Sequence, residues 1–133
     1  MARIPYALLF LAFLLIYIPR VIVITVLVKQ PGGLDNNNPR DQQALLTGYG
    51  KRAQGAHLNM FEAFPIFAAG ILASLVGHVR LDFIVALGTA FIFLRVVYIA
   101  LYLGDKASAR TLVWMVANGI SASLILAPLF LGA

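Results

Sequence analysis

The apolar run from Ile4 to Val28 constrains this chain most. It reads IPYALLFLAFLLIYIPRVIVITVLV, and its one charged residue is Arg20. As a helix rising about 1.5 Å per residue, such a run can cross a hydrocarbon layer roughly 30 Å thick. It is too long for the apolar core of a signal peptide, and no small-residue cleavage site closes it, so it reads as a retained span. Three further apolar segments follow, at about 58–76, 81–103 and 111–131. Each is near the roughly 20 residues a spanning helix needs. No alternating barrel pattern appears, and backbone groups in lipid must be satisfied locally, so all four are expected to be helices.

Composition agrees. Of 133 residues, 62% are hydrophobic and 11% charged, which excludes disorder and an ordinary soluble domain. The length suits one domain, 1–133. There is no cysteine, hence no disulfide framework, thiolate metal site or cysteine nucleophile. The net charge of +5 does not point to nucleic acid, because the basic residues are scattered or gathered in one loop. Lys29, Arg40, Lys51 and Arg52 lie in the first connection, and Lys106 and Arg110 in the third. The opposite side has Arg3 and Arg80. The positive-inside rule then places the first and third connections in the cytoplasm and both termini outside.

The first connection is the long one, Lys29 to Arg52. Its first half holds Pro31, Gly32, Gly33 and the Asn36–Asn38 run, which favour turns. From Pro39 onward the chain can start a helix and continue into the second span, weakened by Gly48, Gly50 and Gly55. The other connectors, Gly77–Asp82 and Gly104–Arg110, are short, so neighbouring helices are expected to be antiparallel. The expected fold is an all-α integral membrane four-helix bundle. Ala69, Ala73 and Gly77 recur every four residues and permit close helix approach. Pro19 and Pro65 each remove a backbone donor from a span and predict local kinks.

Arg20, Glu62 and Arg95 are ionisable residues inside spans. Each costs on the order of 2.5–3.5 kcal/mol at a helix centre on insertion scales, so such residues face a bundle interior and find partners. Glu62 and Arg95 lie at comparable depths, which predicts a pair between them. That pair could be purely structural, holding helices in register. Arg52, Asn59 and Glu62 fall near one helical face with Gly55, while His57 points elsewhere. Arg95, Tyr98 and Tyr102 share a face of the third span. Two polar stripes near the cytoplasmic border predict a buried cleft. Arg110 and Thr111 stand where the fourth span begins, and a helix N-terminus with an added arginine favours an anion or a thiolate. Trp114 fits either an interfacial belt or the cleft wall. His57 and His78 fall near opposite membrane faces, so no metal site is expected, and no phosphate loop, dinucleotide fingerprint or Ser–His–Asp set is present.

Two motifs carry a family resemblance. The segment Arg52-Ala53-x-x-Ala56-His57-x-Asn59-x-x-Glu62, with Pro65 and Phe67, resembles the signature of the MAPEG family, membrane-associated proteins in eicosanoid and glutathione metabolism. Arg95-x-x-Tyr98-x-x-x-Tyr102-Leu103-Gly104, followed by Arg110, is a second match. The resemblance covers nearly the whole chain, and DNNNPRDQQALLTGYGKRAQGAHLNMFEAFP looks most like the family's bacterial branch. It implies a homotrimer in a bacterial cytoplasmic membrane, with glutathione as co-substrate between subunits and a lipophilic small molecule arriving from the lipid. The implied activity is that of a glutathione-dependent transferase or peroxidase acting on lipophilic electrophiles or lipid hydroperoxides.

By motif position, Asn59 and Glu62 would hold glutathione's polar backbone, with Glu62 at the amine. Arg95, Tyr98 and Tyr102 would line the same site, and Arg110 would stabilise the thiolate. Eicosanoid members carry arginine at the position of Gly55, and some at that of Leu58. Arg52 or Arg40 would have to replace that grip. The competing expectation is a non-catalytic scaffold of the same shape, a lipid binder or an accessory subunit of a larger membrane complex. A small transporter with Glu62 as proton carrier has thin support, because paired discontinuous helices are missing.

Overall fold

The structure, a computed structural model, describes residues 3–132. It is all-helical among those residues. Helix α1 spans Ile4–Val28, α2 Pro39–Ala44, α3 Gly48–Val76, α4 Leu81–Leu103 and α5 Ala107–Leu131. Four of them, α1, α3, α4 and α5, are long and apolar enough to cross a membrane. Helices α3 and α4 form the middle of the bundle, each packing on α1, on α5 and on each other. The main core runs between them, with Leu8, Phe67, Ile71, Ile84, Phe91 and Leu124 buried. Phe67 and Phe91 stack face to face at 3.9 Å between ring centroids. Large apolar side chains such as Phe10, Val21, Phe93 and Phe130 point outward. That inversion of a soluble surface is what a lipid-facing exterior requires.

The chain does not run unbroken from Pro39 into the second span. Helix α2 stops at Ala44, Thr47 is extended, and Gly48 opens α3 with φ +53°. A left-handed residue suits glycine because it has no Cβ to clash. The break lets Leu46 turn inward, where it packs with Val23, Leu27 and Ala53. Gln42 fastens the preceding loop: its Nε2 donates to the Gly33 carbonyl at 2.7 Å, and its Oε1 accepts from the Asp35 amide at 3.0 Å. Asp35 in turn accepts from the amides of Asn37 and Asn38, at 2.8 and 3.0 Å.

Both short connectors use one device. Val79 N–H returns to the Ser74 carbonyl, and Lys106 N–H to the Leu101 carbonyl, over a residue with positive φ. This is a Schellman ending, in which glycine is the usual left-handed residue. Here the positions are held by His78 (φ 53°) and Asp105 (φ 58°). The second of these turns folds α5 back along α4 within three residues. Arg110 thereby comes level with Tyr102.

A proline position explains one buried polar contact. Pro128 lacks an N–H, so the Leu124 carbonyl four residues earlier loses its helical donor. The Ser74 hydroxyl on α3 donates to that carbonyl at 2.6 Å. Pro19 leaves the Leu15 carbonyl without its helical donor. Separately, His57 Nδ1 lies 2.8 Å from the carbonyl of the next residue, Ile16. A carbonyl only accepts, so Nδ1 carries the proton. Close approach of α3 to α5 occurs along Gly70, Ser74 and Gly77, not along Ala69, Ala73 and Gly77. A Cβ on Gly70 would press on Leu124 and the Ser121 backbone, and one on Gly77 would press on Pro128. Ala69 faces outward. Three- and four-residue steps both stay on one helical stripe, and Ser74 with its carbonyl partner fixes which stripe faces α5.

Candidate functional site

Arg95 is the largest fully buried side chain. It leaves α4 toward α3, where its Nη2 donates to Asn59 Oδ1 at 2.7 Å and its Nε to Met60 Sδ at 3.1 Å. Its guanidinium carbon stands 4.2 Å from the Tyr98 ring centre. Burying a cation requires such partners, because each unmet donor carries its full desolvation cost. Nη1 has none among the described residues.

The expected Arg95–Glu62 ion pair does not form directly. Asn59 stands between the two, and its Nδ2 donates to Glu62 Oε2 at 3.3 Å. Asn59 and Glu62 are three residues apart on one face of α3, and Arg95 meets the nearer of them. Glu62 lies beyond, at the exposed edge. Among the described residues the ion pairs are Arg52–Asp105 and Arg80–Asp82, both outside this site.

A cleft of about 180 Å³ opens beside this network, lined by Asn59, Tyr98, Tyr102, Arg110, Thr111 and Trp114. A smaller one of about 120 Å³ continues along α3 and α5, past Glu62, Ile66 and Asn118. Asn59 and Trp114 line both, so the two make one groove. Its aromatic wall is ordered: Tyr98 and Tyr102 meet edge to face at 5.7 Å, and the Arg110 guanidinium lies 4.0 Å over the Tyr102 ring. A cation over a ring face is held by the ring's quadrupole, most firmly where water is scarce. Among the described residues the groove therefore offers one cation, Arg110, one carboxylate, Glu62, and the amides of Asn59 and Asn118.

The structure thus brings together Asn59, Glu62, Arg95, Tyr98, Tyr102 and Arg110. It does not bring Arg52 to the groove. Arg52 Nε donates to the Leu103 carbonyl at 3.1 Å, at the open end of α4, and its Nη1 lies 3.8 Å from Asp105. It caps a helix whose last carbonyls attract a cation. Arg20 is half-buried on α1, with Nη1 unpartnered among the described residues, and it does not line the groove. Asn118 was not singled out in the sequence. Its signal is spacing: Thr111, Trp114 and Asn118 recur at steps of three and four on the α5 face that meets Asn59. Among the described residues there is no group of His, Cys, Asp and Glu that could hold a metal ion.

The model of the MAPEG family matches residues 4–130. The chain belongs to the MAPEG family. With its four spanning helices, this MAPEG member is an integral membrane protein of the glutathione and eicosanoid metabolism kind. No curated protein and no solved structure matches the chain.

Proposed function

We propose that this MAPEG protein is a glutathione-dependent transferase or peroxidase of a bacterial cytoplasmic membrane, acting on lipophilic electrophiles or lipid hydroperoxides as a homotrimer with both termini outside. The observation that carries the reading is Arg110, seated on Tyr102 at the mouth of a groove that also holds Asn59 and Glu62. The donor set fits glutathione, which brings one amine for Glu62, carboxylates and a thiol. Glutathione supplies the sulfur nucleophile. Arg110 supplies a fixed positive charge that favours the thiolate over the thiol. Arg95 keeps Asn59 oriented through its 2.7 Å hydrogen bond, and Asn59 in turn orients the Glu62 carboxylate. The apolar flank of the groove, Ala63 and Ile66, admits a greasy second reactant.

The trimer is supported by what one chain leaves unfinished. Ligand pockets commonly run from about 300 to 1,000 Å³. The main cleft holds about 180 Å³, so it covers part of such a ligand. Glu62 is exposed on a spanning helix, where an uncovered carboxylate is costly. A second copy across the groove would supply the missing wall.

One observation favours the non-catalytic alternative. Arg52 is engaged with Leu103 and Asp105, and Arg95 is buried against Asn59, so among the described residues Arg110 is the one cation that lines the cleft. A scaffold needs no stronger grip. Quenching of Trp114, the one tryptophan, by glutathione separates the readings. Saturable quenching at millimolar glutathione, lost in Arg110→Ala with the oligomer intact, is expected of the enzyme. No quenching in the parent protein supports the scaffold.

A further inference from the structure

Gly55 sits inside α3, about two turns from its start, where glycine weakens a helix, and needs no unusual backbone angle there. Its role lies in what covers it. A Cβ built on Gly55 would overlap the Tyr102 hydroxyl and lie 2.7 Å from Cζ and 3.1 Å from Cε1 of that ring. The phenol of Tyr102 therefore rests on bare α3 backbone. The same ring carries the Arg110 guanidinium at 4.0 Å, and its neighbour Tyr98 meets it edge-on. Three helices thus meet at one ring: α3 backbone at Gly55, Tyr102 from α4, and the Arg110 guanidinium from α5.

We infer that Gly55 is a positioning residue of the groove: its missing side chain seats Tyr102 against α3, and the seated ring holds Arg110 at the cleft mouth. Any side chain at position 55 fills the seat and lifts the ring, and Arg110 moves with it. The same contact makes Gly55 a determinant of specificity. It places the cation of this wall on α5, so the anionic group of a ligand is taken by Arg110. The consequence for thiol chemistry rests on the function proposed above; the seating of the ring does not.

The test is a cycle of Gly55→Ala, Tyr102→Ala and the double variant, each purified as the full chain in detergent. Two readouts are followed: the emission of Trp114 without ligand, and the pH dependence of glutathione thiolate absorbance. Alanine has the higher helix propensity, so a merely structural glycine predicts a variant that folds as well or better and changes neither readout. The inference predicts that Gly55→Ala shifts Trp114 emission and raises the midpoint of thiolate formation by about one pH unit, tenfold in the thiol equilibrium. Both effects should vanish when Tyr102 is already Ala. Should Gly55→Ala fail to fold, the double variant must fold, because it removes the ring that clashes. Parent-like behaviour of Gly55→Ala, an equal change in both backgrounds, or failure of the double variant to fold would each overturn the inference. If no protein in the set forms thiolate, yet Gly55→Ala shifts Trp114 only when Tyr102 is present, the seating stands and the glutathione reading fails.

Discussion

Asn59 is the residue through which most of the site's order passes. It accepts from a buried arginine and donates to an exposed carboxylate, three residues along its own helix. Replacing it with Ala leaves the buried Arg95 guanidinium without the acceptor of its Nη2. A loss of about 2–3 kcal/mol is expected, because the orphaned donor is charged; unfolding in mixed micelles measures it. Arg95→Met should recover most of that loss in an Asn59→Ala background, since a well-packed apolar chain can replace a buried charge at little cost. If the double variant is no more stable than Asn59→Ala alone, Arg95 is not what Asn59 supports. The need to cover polar groups in an apolar span made Asn59, Glu62, Arg95 and Tyr98 legible from sequence. The true partner of Arg95 was not, because matching depths places residues only to within a helical turn, and less than a turn separates Asn59 from Glu62. Arg52 lies away from this groove because its charge also suits the open end of α4.

At the scale of elements, the termini and breaks of helices do most of the organising. The Ser74 hydroxyl answers the carbonyl that Pro128 leaves free. Ser74→Ala should cost about 1–3 kcal/mol, the desolvation of an unmet buried acceptor, read as a lower unfolding midpoint. His78 and Asp105 hold left-handed positions that cost a side-chain residue roughly 1–2 kcal/mol. His78→Gly should therefore stabilise the protein by about 1 kcal/mol in the same assay, and a destabilised variant would mean that the His78 side chain matters. In the first connection, the amides of Asn38 and Asn37 hold the Asp35 carboxylate below its ordinary value of 3.8. The turn's contribution is then complete above that value and is lost as pH falls through the lowered one. Amide resonances of Asn37 and Asn38 should titrate with a midpoint below 3.8, and a midpoint above it would contradict these bonds. The four long helices were readable because their lengths and apolar content leave few alternatives. The break at Leu45–Thr47 was not, since nothing local forbids a helix there. It follows from Leu46 finding a buried seat between α1 and α3.

Taken as a whole molecule, the chain is a MAPEG bundle whose polar groove lies open on one side. Lipid suits its apolar exterior but not Glu62, and the main cleft of about 180 Å³ covers only part of a ligand. Native mass measurement in detergent should give three chains, and a monomer with an open groove would require another cover for Glu62. The central claim is that Arg110 makes a thiolate in this groove. Ultraviolet thiolate absorbance, recorded as glutathione is added to the purified protein near neutral pH, tests it most directly. The account predicts a saturable thiolate signal that disappears in Arg110→Ala. No signal at millimolar glutathione, or one that survives Arg110→Ala, would contradict it.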